Sequence, residues 1–170
     1  MRWCSVGKMH CSVARTLAVV GERWTMLILR EAFLGRRRFD DFQRNTGIAR
    51  NILATRLRAL TRHGIFERVR SRDSAKRVEY RLSQKGLDLY PVLISLMRWG
   101  DRWLAGKQGP PMMLIHRGCG RTTQPKMVCT HCGAALAARE MLAVPRARIA
   151  SARREMKRGR AWLARPSTLV

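Results

Sequence analysis

His116-Arg-Gly-Cys119-Gly120 and Cys129-Thr-His-Cys132-Gly133 share one pattern: a metal-ligand type, two residues, a second ligand type, then glycine. Imidazole and thiolate are the donors zinc takes, and four of them close a tetrahedral structural site. Nine residues separate the two pairs, enough for a hairpin. The spacing predicts a zinc-ribbon-like module binding one structural zinc ion. His116, Cys119, Cys129 and Cys132 are its metal ligands, and His131 is the alternative fourth ligand. Two pairs in this arrangement are more specific than a lone Cys-x-x-Cys, and the competing reading is a chance cluster of reduced thiols. His116 and Cys119 could also be read as base and nucleophile. No third orienting group or oxyanion loop accompanies them, so no enzymatic activity is expected.

The second chemistry is that of guanidinium. The 170 residues hold 35 Lys and Arg against 11 Asp and Glu, a formal charge of +24. Only six of the 35 are lysine, so 29 are arginine. Arginine forks onto phosphate and onto the guanine edge, although an Arg-rich codon bias would raise the same count. A charge this large implies a polyanionic partner, either nucleic acid or an anionic membrane face. No apolar run approaches the ~18 residues of a membrane span. The first 30 residues scatter Arg2, Lys8, Arg15 and Arg23 among apolar residues and lack the apolar core of a secretion signal. A cytoplasmic location is expected. The five cysteines would then be reduced, which favours metal or redox chemistry over disulfides.

The elements that must carry these groups can be read from periodicity. Cys11–Val20 predicts a short helix and Glu22–Leu34 a second, with Trp24, Leu27, Ile28 and Phe33 at helical spacing and Gly35 as its stop. Phe39–Asn45 predicts a third, with Phe39 and Phe42 inward and a turn at Gly47. Ala49–His63 predicts a fourth that buries Ile52, Leu53, Leu57 and Leu60 and presents Arg50, Asn51, Thr55, Arg58 and Arg62. Ile65–Arg70 and Val78–Leu82 alternate like the strands of a hairpin joined through residues 71–77. Ser83 reads as the cap of a long helix running to about Ala105, burying Leu89, Leu93, Leu96, Met97 and Trp103. Lys107-Gln-Gly-Pro-Pro111 reads as a linker. The chain thus divides into an N-terminal arm (1–10), a helix-and-wing domain (11–107), the zinc-ribbon-like module (108–145) and an Arg-rich tail (146–170). Net charge is +14 up to Lys107 and +10 beyond it.

This order is that of a winged helix-turn-helix, a mainly α fold with a small β wing (α+β). The second helix of such a pair enters the major groove, where base edges carry a unique donor and acceptor pattern. A wing tipped by Arg72, Lys76 and Arg77 can reach the flanking phosphates or the minor groove.

Cys11-Ser-Val, Gly21-Glu-Arg-Trp24, Leu27-Ile-Leu-Arg-Glu31, Gly35 with Arg38-Phe39, Arg56-Leu57-Arg-Ala-Leu60, Gly64-Ile65, Arg77-Val-Glu-Tyr80-Arg-Leu82, Lys85-Gly86 and Trp99-Gly100 follow one another across residues 11–106. No single piece is specific; the ordered set resembles the HxlR family of bacterial transcriptional regulators. The resemblance implies a homodimeric repressor or activator on a pseudo-palindromic operator, with the first and last helices at the dimer interface. It implies that double-stranded DNA is contacted by Arg38, Arg50, Asn51, Thr55, Arg56 and Arg77. Of these, Arg38 would clamp a phosphate and Arg77 would serve the wing. Arg56 lies close to the apolar stripe and could pair internally instead.

Cys11 matches the cysteine with which several members of that family sense oxidants or electrophiles. A thiol at a helix start beside cations (here Lys8 and Arg15) is the setting of reactive cysteines. The competing role is a small apolar residue at the dimer seam. Cys4, placed in a loose arm, is the candidate resolving thiol. Ser12 stands where the family commonly has proline, and can cap the helix. An oxidant or a small molecule would be the inducer. In the tail, Leu142, Ile149, Met156 and Leu163 recur every seven residues among arginines. Pro145 and Gly159 interrupt them, so a basic, partly helical tail adding non-specific affinity is expected rather than a coiled coil. The alternative to a DNA regulator is a basic RNA-binding protein that uses the zinc module and tail. An aromatic content of only 6% argues against base stacking.

Overall fold

The computed structural model describes residues 3–71 and 74–157. Arg72, the Cys4 and Lys76 side chains, and the tail residues Arg158, Arg160, Leu163 and Arg165 lie outside the described residues. The chain divides into two units, one ending at Met113 and one starting at Leu114.

The first unit opens with a 3-10 helix, Trp3–Lys8. The expected loose arm instead packs on α1 (Ser12–Val20): a Cβ on Gly7 would come 3.1 Å from Ala18 Cβ. Cys11 is the N-cap residue, with extended backbone and no side-chain cap bond, so Ser12 begins the helix rather than capping it. The Thr16 hydroxyl donates back to Ser12 O. After Gly21, α2 (Arg23–Phe33) is capped by Glu22, whose Oε2 accepts the Trp24 N–H at 3.0 Å. Its buried line is Thr25, Ile28, Leu29 and Glu31; Trp24, Leu27 and Phe33 are only half-buried. The helix is apolar on most sides, so spacing alone did not fix which stripe turns inward.

Helix α3 (Phe39–Thr46) and helix α4 (Arg50–Arg62) form the helix-turn-helix. Gly47 makes the turn at φ 69°, a left-handed geometry that a Cβ disfavours. Buried Ile48 plugs the corner. The angle between α2 and α3 is held by Glu31. Its Oε2 accepts from Asn45 Nδ2 at 2.8 Å, and its Oε1 accepts from Arg30 Nε at 2.9 Å and Nη2 at 2.7 Å. A buried carboxylate is tolerated because both oxygens are satisfied.

Strands β1 (Phe66–Ser71) and β2 (Ser74–Leu82) pair antiparallel from Phe66↔Leu82 to Arg70↔Val78, with an irregularity before Ser71↔Ser74. The second strand therefore starts four residues earlier than alternation predicts. Phe42, Phe66 and Tyr80 stack against one another at 6.1–6.4 Å and join α3 to both strands. The Tyr80 N–H donates to Arg37 O at 2.8 Å and ties the wing to the start of α3.

The expected long helix is broken. A one-turn helix α5 (Gln84–Leu87) is capped by Ser83, and α6 (Tyr90–Trp103) starts afresh with Pro91 in its first turn. Proline has no N–H to continue the ladder across Asp88 and Leu89. Of α6, Ile94 alone is buried; Leu96 and Trp103, expected inside, are 53% and 62% exposed. The core consists of Val20, Ile28, Leu29, Phe42, Ile48, Leu53, Leu57, Leu60, Ile65 and Phe66. Ile52 is not part of it, because it lies a quarter-turn off the Leu53–Leu57–Leu60 line. A short 3-10 turn, Gly106–Gln108, stands where the linker is expected.

The second unit holds the two-residue strands β3 (Leu114–Ile115) and β4 (Thr122–Thr123), a bridge between Val128 and Ala135, and helix α7 (Ile149–Lys157). Helix in the tail agrees with expectation as far as Lys157.

Candidate nucleic-acid interface

Leucines at 53, 57 and 60 bind α4 to the core, which turns residues 51, 55, 58 and 62 outward as one stripe. Asn51, Thr55, Arg58 and Arg62 are all exposed. The Thr55 hydroxyl donates to Asn51 O at 2.9 Å and accepts from Arg58 Nη2 at 3.4 Å, which lines the three along the helix. Asn51 Oδ1 accepts the Ile52 N–H at 2.8 Å. Arg50, the first helical residue, leans back on α3. Its Nη1 is 3.5 Å from Asp40 Oδ1 and 3.4 Å from Gln43 Oε1, and its guanidinium carbon lies 4.8 Å from the Phe39 ring centroid. Such a clamp restricts a long side chain at the helix N-terminus, the end that enters the groove in this fold.

Arg56 differs. Its Nε lies 3.2 Å from Glu22 Oε2, across the face that packs on α2. The structure thus places this expected DNA contact, its side chain 34% exposed, in an ion pair with the residue that caps α2. Arg58, exposed beside Thr55, occupies the outward position instead. Arg58 belongs to the polar face expected of this helix but is not among the contacts that the resemblance implies. The i, i+4, i+7 spacing from Asn51 was the signal that could have singled it out.

Arg38 is the half-buried N-cap residue of α3, following the exposed pair Arg36 and Arg37. The first turn already carries Asp40 and Asp41, which complement the helix dipole. On the wing, Arg68, Arg70 and Arg77 are exposed. Glu79 is held at the strand pair: Ser71 Oγ donates to it at 2.9 Å, and Arg81 Nη2 at 2.9 Å. The Arg81 bond first, then that from Ser71, hold its carboxyl below the usual glutamate range.

Cys11 is exposed at the start of α1, and Arg15 Nε donates to Met9 O rather than to the thiol. In the second unit, the structure brings the expected metal ligands together as two pairs. His116 Nδ1 is 3.4 Å from Cys119 Sγ. The Cys129 thiol is pulled below its ordinary value by the N–H groups of Cys132 and His131 and by the Cys132 thiol. Among the described residues, no three His, Cys, Asp or Glu side chains gather at one metal position.

Two helices joined by a tight turn, the second presenting polar and cationic side chains, followed by a basic hairpin, define a winged helix-turn-helix transcriptional regulator. The chain belongs to the HxlR-like helix-turn-helix family, whose sequence model matches residues 19–108. It is 48% identical over 134 residues to Rv3095, an uncharacterized HTH-type transcriptional regulator of Mycobacterium tuberculosis H37Rv. That match covers 79% of this chain and 85% of the relative. The crystal structure of PA1607, a candidate transcription factor, superposes with a TM-score of 0.75 at 37% identity, covering 82% of this chain and 98% of the other. The redox regulator HypR in its oxidized form matches at a TM-score of 0.50 and 31% identity, over 54% of this chain and 95% of that one. Among the described residues no helix is long and apolar enough to cross a membrane.

Proposed function

We propose that this regulator reads a specific duplex sequence as a homodimer and represses by occupying a pseudo-palindromic operator. The observation that carries the reading is the α4 stripe of Asn51, Thr55, Arg58 and Arg62, opposite the buried leucines. Amide and guanidinium groups are the side chains that pair bidentately with adenine and guanine in the major groove. The exposed Arg68, Arg70 and Arg77 of the wing supply the phosphate contacts that set register.

The dimer reading rests on apolar side chains that one copy leaves in water. Val13 and Leu17 of α1 are 67% and 41% exposed, and Leu96, Trp99 and Trp103 of α6 are also exposed. Aromatic groups in such numbers are the composition of an interface core rather than a solvated face.

Cys11 is the thiol proposed to respond to oxidants, supported by its exposure at the α1 N-cap and by the likeness to HypR. A C11S chain that loses operator release by diamide would support this role; unchanged release would reject it.

The deciding experiment is titration of the duplex upstream of the gene against a scrambled duplex over a salt series. With a charge of +24, low-salt binding to both follows from counterion release alone. A preference of ~10³ or more near physiological salt supports sequence reading. Equal affinities that fall together with salt, or better competition by single-stranded RNA, reject it.

A further inference from the structure

We infer that the second unit is a zinc-binding module in which two hairpin tips, one carrying His116 and Cys119 and the other Cys129 and Cys132, close on a single ion.

The two tips have the same backbone. In the first, Gly120 stands at φ 68° and its N–H donates to His116 O at 2.8 Å. In the second, Gly133 stands at φ 72° and its N–H donates to Cys129 O at 2.8 Å. Each glycine follows the second ligand and turns the chain so that both ligands of the pair face one side. Each tip ends a small ladder. β3 and β4 lead into the first, where the His116 N–H donates to Arg121 O. The second is framed by the Cys129 N–H to Ala134 O, the Val128–Ala135 bridge and the Leu136 N–H to Met127 O. In the first tip the imidazole folds over the turn, so closely that a Cβ on Gly118 would meet its ring at 3.0 Å. That folding sets His116 Nδ1 3.4 Å from Cys119 Sγ, a separation at which one ion can touch both.

Burial supplies a separate argument. Among the described residues from Leu114 onward, Ala152 alone is buried. Ile115, Met127 and Val128 are each about half exposed or more. A segment of this size without an apolar core needs a disulfide, a metal or a partner to hold a fold. Three cysteines cannot pair among themselves without leaving one over, whereas three cysteines and one histidine complete a tetrahedral set. Among the described residues the two pairs do not meet in one cluster, so the proposed site requires the tips to close as the ion binds.

Binding breaks three S–H bonds and releases three protons to solvent. It forms three zinc–sulfur bonds and one bond to the neutral His116 imidazole. Three thiolates and one divalent ion leave the site with a net charge of −1. No electron moves and no fourth position stays open, so the role is structural.

The test uses the full chain, purified without a polyhistidine tag under reducing conditions. Elemental analysis should find one zinc per chain. Replacement by cobalt should give the intense visible bands of tetrahedral thiolate coordination. C132S and H116A should lose these bands and weaken cobalt binding beyond the roughly 10–100-fold cost of losing an outer partner, while H131A retains them. Chelation of the wild-type chain should alter the second unit and leave DNA affinity per monomer within about twofold, which separates this inference from the DNA-binding reading. A chain with neither zinc nor a tetrahedral cobalt spectrum overturns the site. Loss of binding in H131A with normal binding in H116A overturns the ligand set.

Discussion

Arg56 Nε of α4 stands 3.2 Å from Glu22 Oε2, the same oxygen that accepts the Trp24 N–H and caps α2. One carboxylate thus starts one helix and anchors the recognition helix to it. Arg56 Nε is shielded from solvent and makes no well-angled hydrogen bond, so the attraction is mainly that of charge. We expect E22A to cost about 1–2 kcal/mol, chiefly because it removes a cap; the ion pair, whose arginine is 34% exposed, adds little. R56M, which removes the half-buried charge and keeps the stem's packing, should cost under about 1 kcal/mol. Urea unfolding of both variants checks this order; equal losses would mean that the pair acts only through packing.

The α4 stripe should separate reading from holding. N51A or R58A should lower the preference for operator over scrambled duplex by about 1–3 kcal/mol per contacted base. R77A should weaken both duplexes alike and reduce the salt slope by about one. R56A, once corrected for stability, should alter the preference little. Fluorescence anisotropy over a salt series separates these behaviours.

Gly86 is buried where α5 crosses the α4–β1 turn. A Cβ there would come 2.4 Å from Ile65 O, a backbone atom with no rotamer to yield. Ser83 and Lys85 fasten the same crossing: Ser83 Oγ donates to Gly64 O at 2.6 Å and Lys85 Nζ to His63 O at 2.8 Å. We expect G86A to destabilise the first unit by about 2 kcal/mol or more, as overpacking against rigid neighbours does. G47A meets no atom and suffers only its left-handed φ, at about 1 kcal/mol. Thermal melts should rank the two in that order.

The order of elements was legible because the signals were local. Gly35, Gly47 and Gly64 stop α2, α3 and α4 where the sequence implies, and Leu53, Leu57 and Leu60 repeat at helical spacing. Errors arose where a long-range partner decided the outcome. No periodicity shows that Glu22 would reach from α2 to Arg56. None shows that Asn45 would make Glu31 tolerable in the core. Pro91 is a local signal for the break between α5 and α6, but the apolar pattern runs on across it. Exposure of Leu96 and Trp103 could not be read from sequence, because an apolar helix face that stays in solvent has the same periodicity as one turned to the core.

The wing should loosen in acid. Bonds from Arg81 and Ser71 lower the folded pKa of Glu79 below its unfolded value. Its contribution to stability is therefore complete above the unfolded value and is lost as pH falls through the lower folded one. E79Q should remove that part of the acid dependence and leave stability at neutral pH slightly reduced. Amide exchange of the β1–β2 ladder, followed from neutral pH downward, should show protection declining in the wild type but not in E79Q. Parallel declines would assign the acid response to other carboxylates.

Trp99 and Trp103 lie four residues apart on α6, 59% and 62% exposed, with Leu96 three residues before Trp99. They form one apolar ridge that water alone cannot stabilise, and burying it against a second copy would remove large aromatic surfaces. W99E places a charge in the middle of that ridge without touching the core, where α6 contributes only Ile94. We expect W99E to keep its helical circular dichroism and sediment as a monomer at concentrations where the parent sediments as a dimer. Operator affinity should fall by at least about 10²-fold while affinity for a half-site changes little, because the loss is in linking two readers rather than in reading. A W99E chain that remains dimeric with full operator affinity would place the subunit contact on another face.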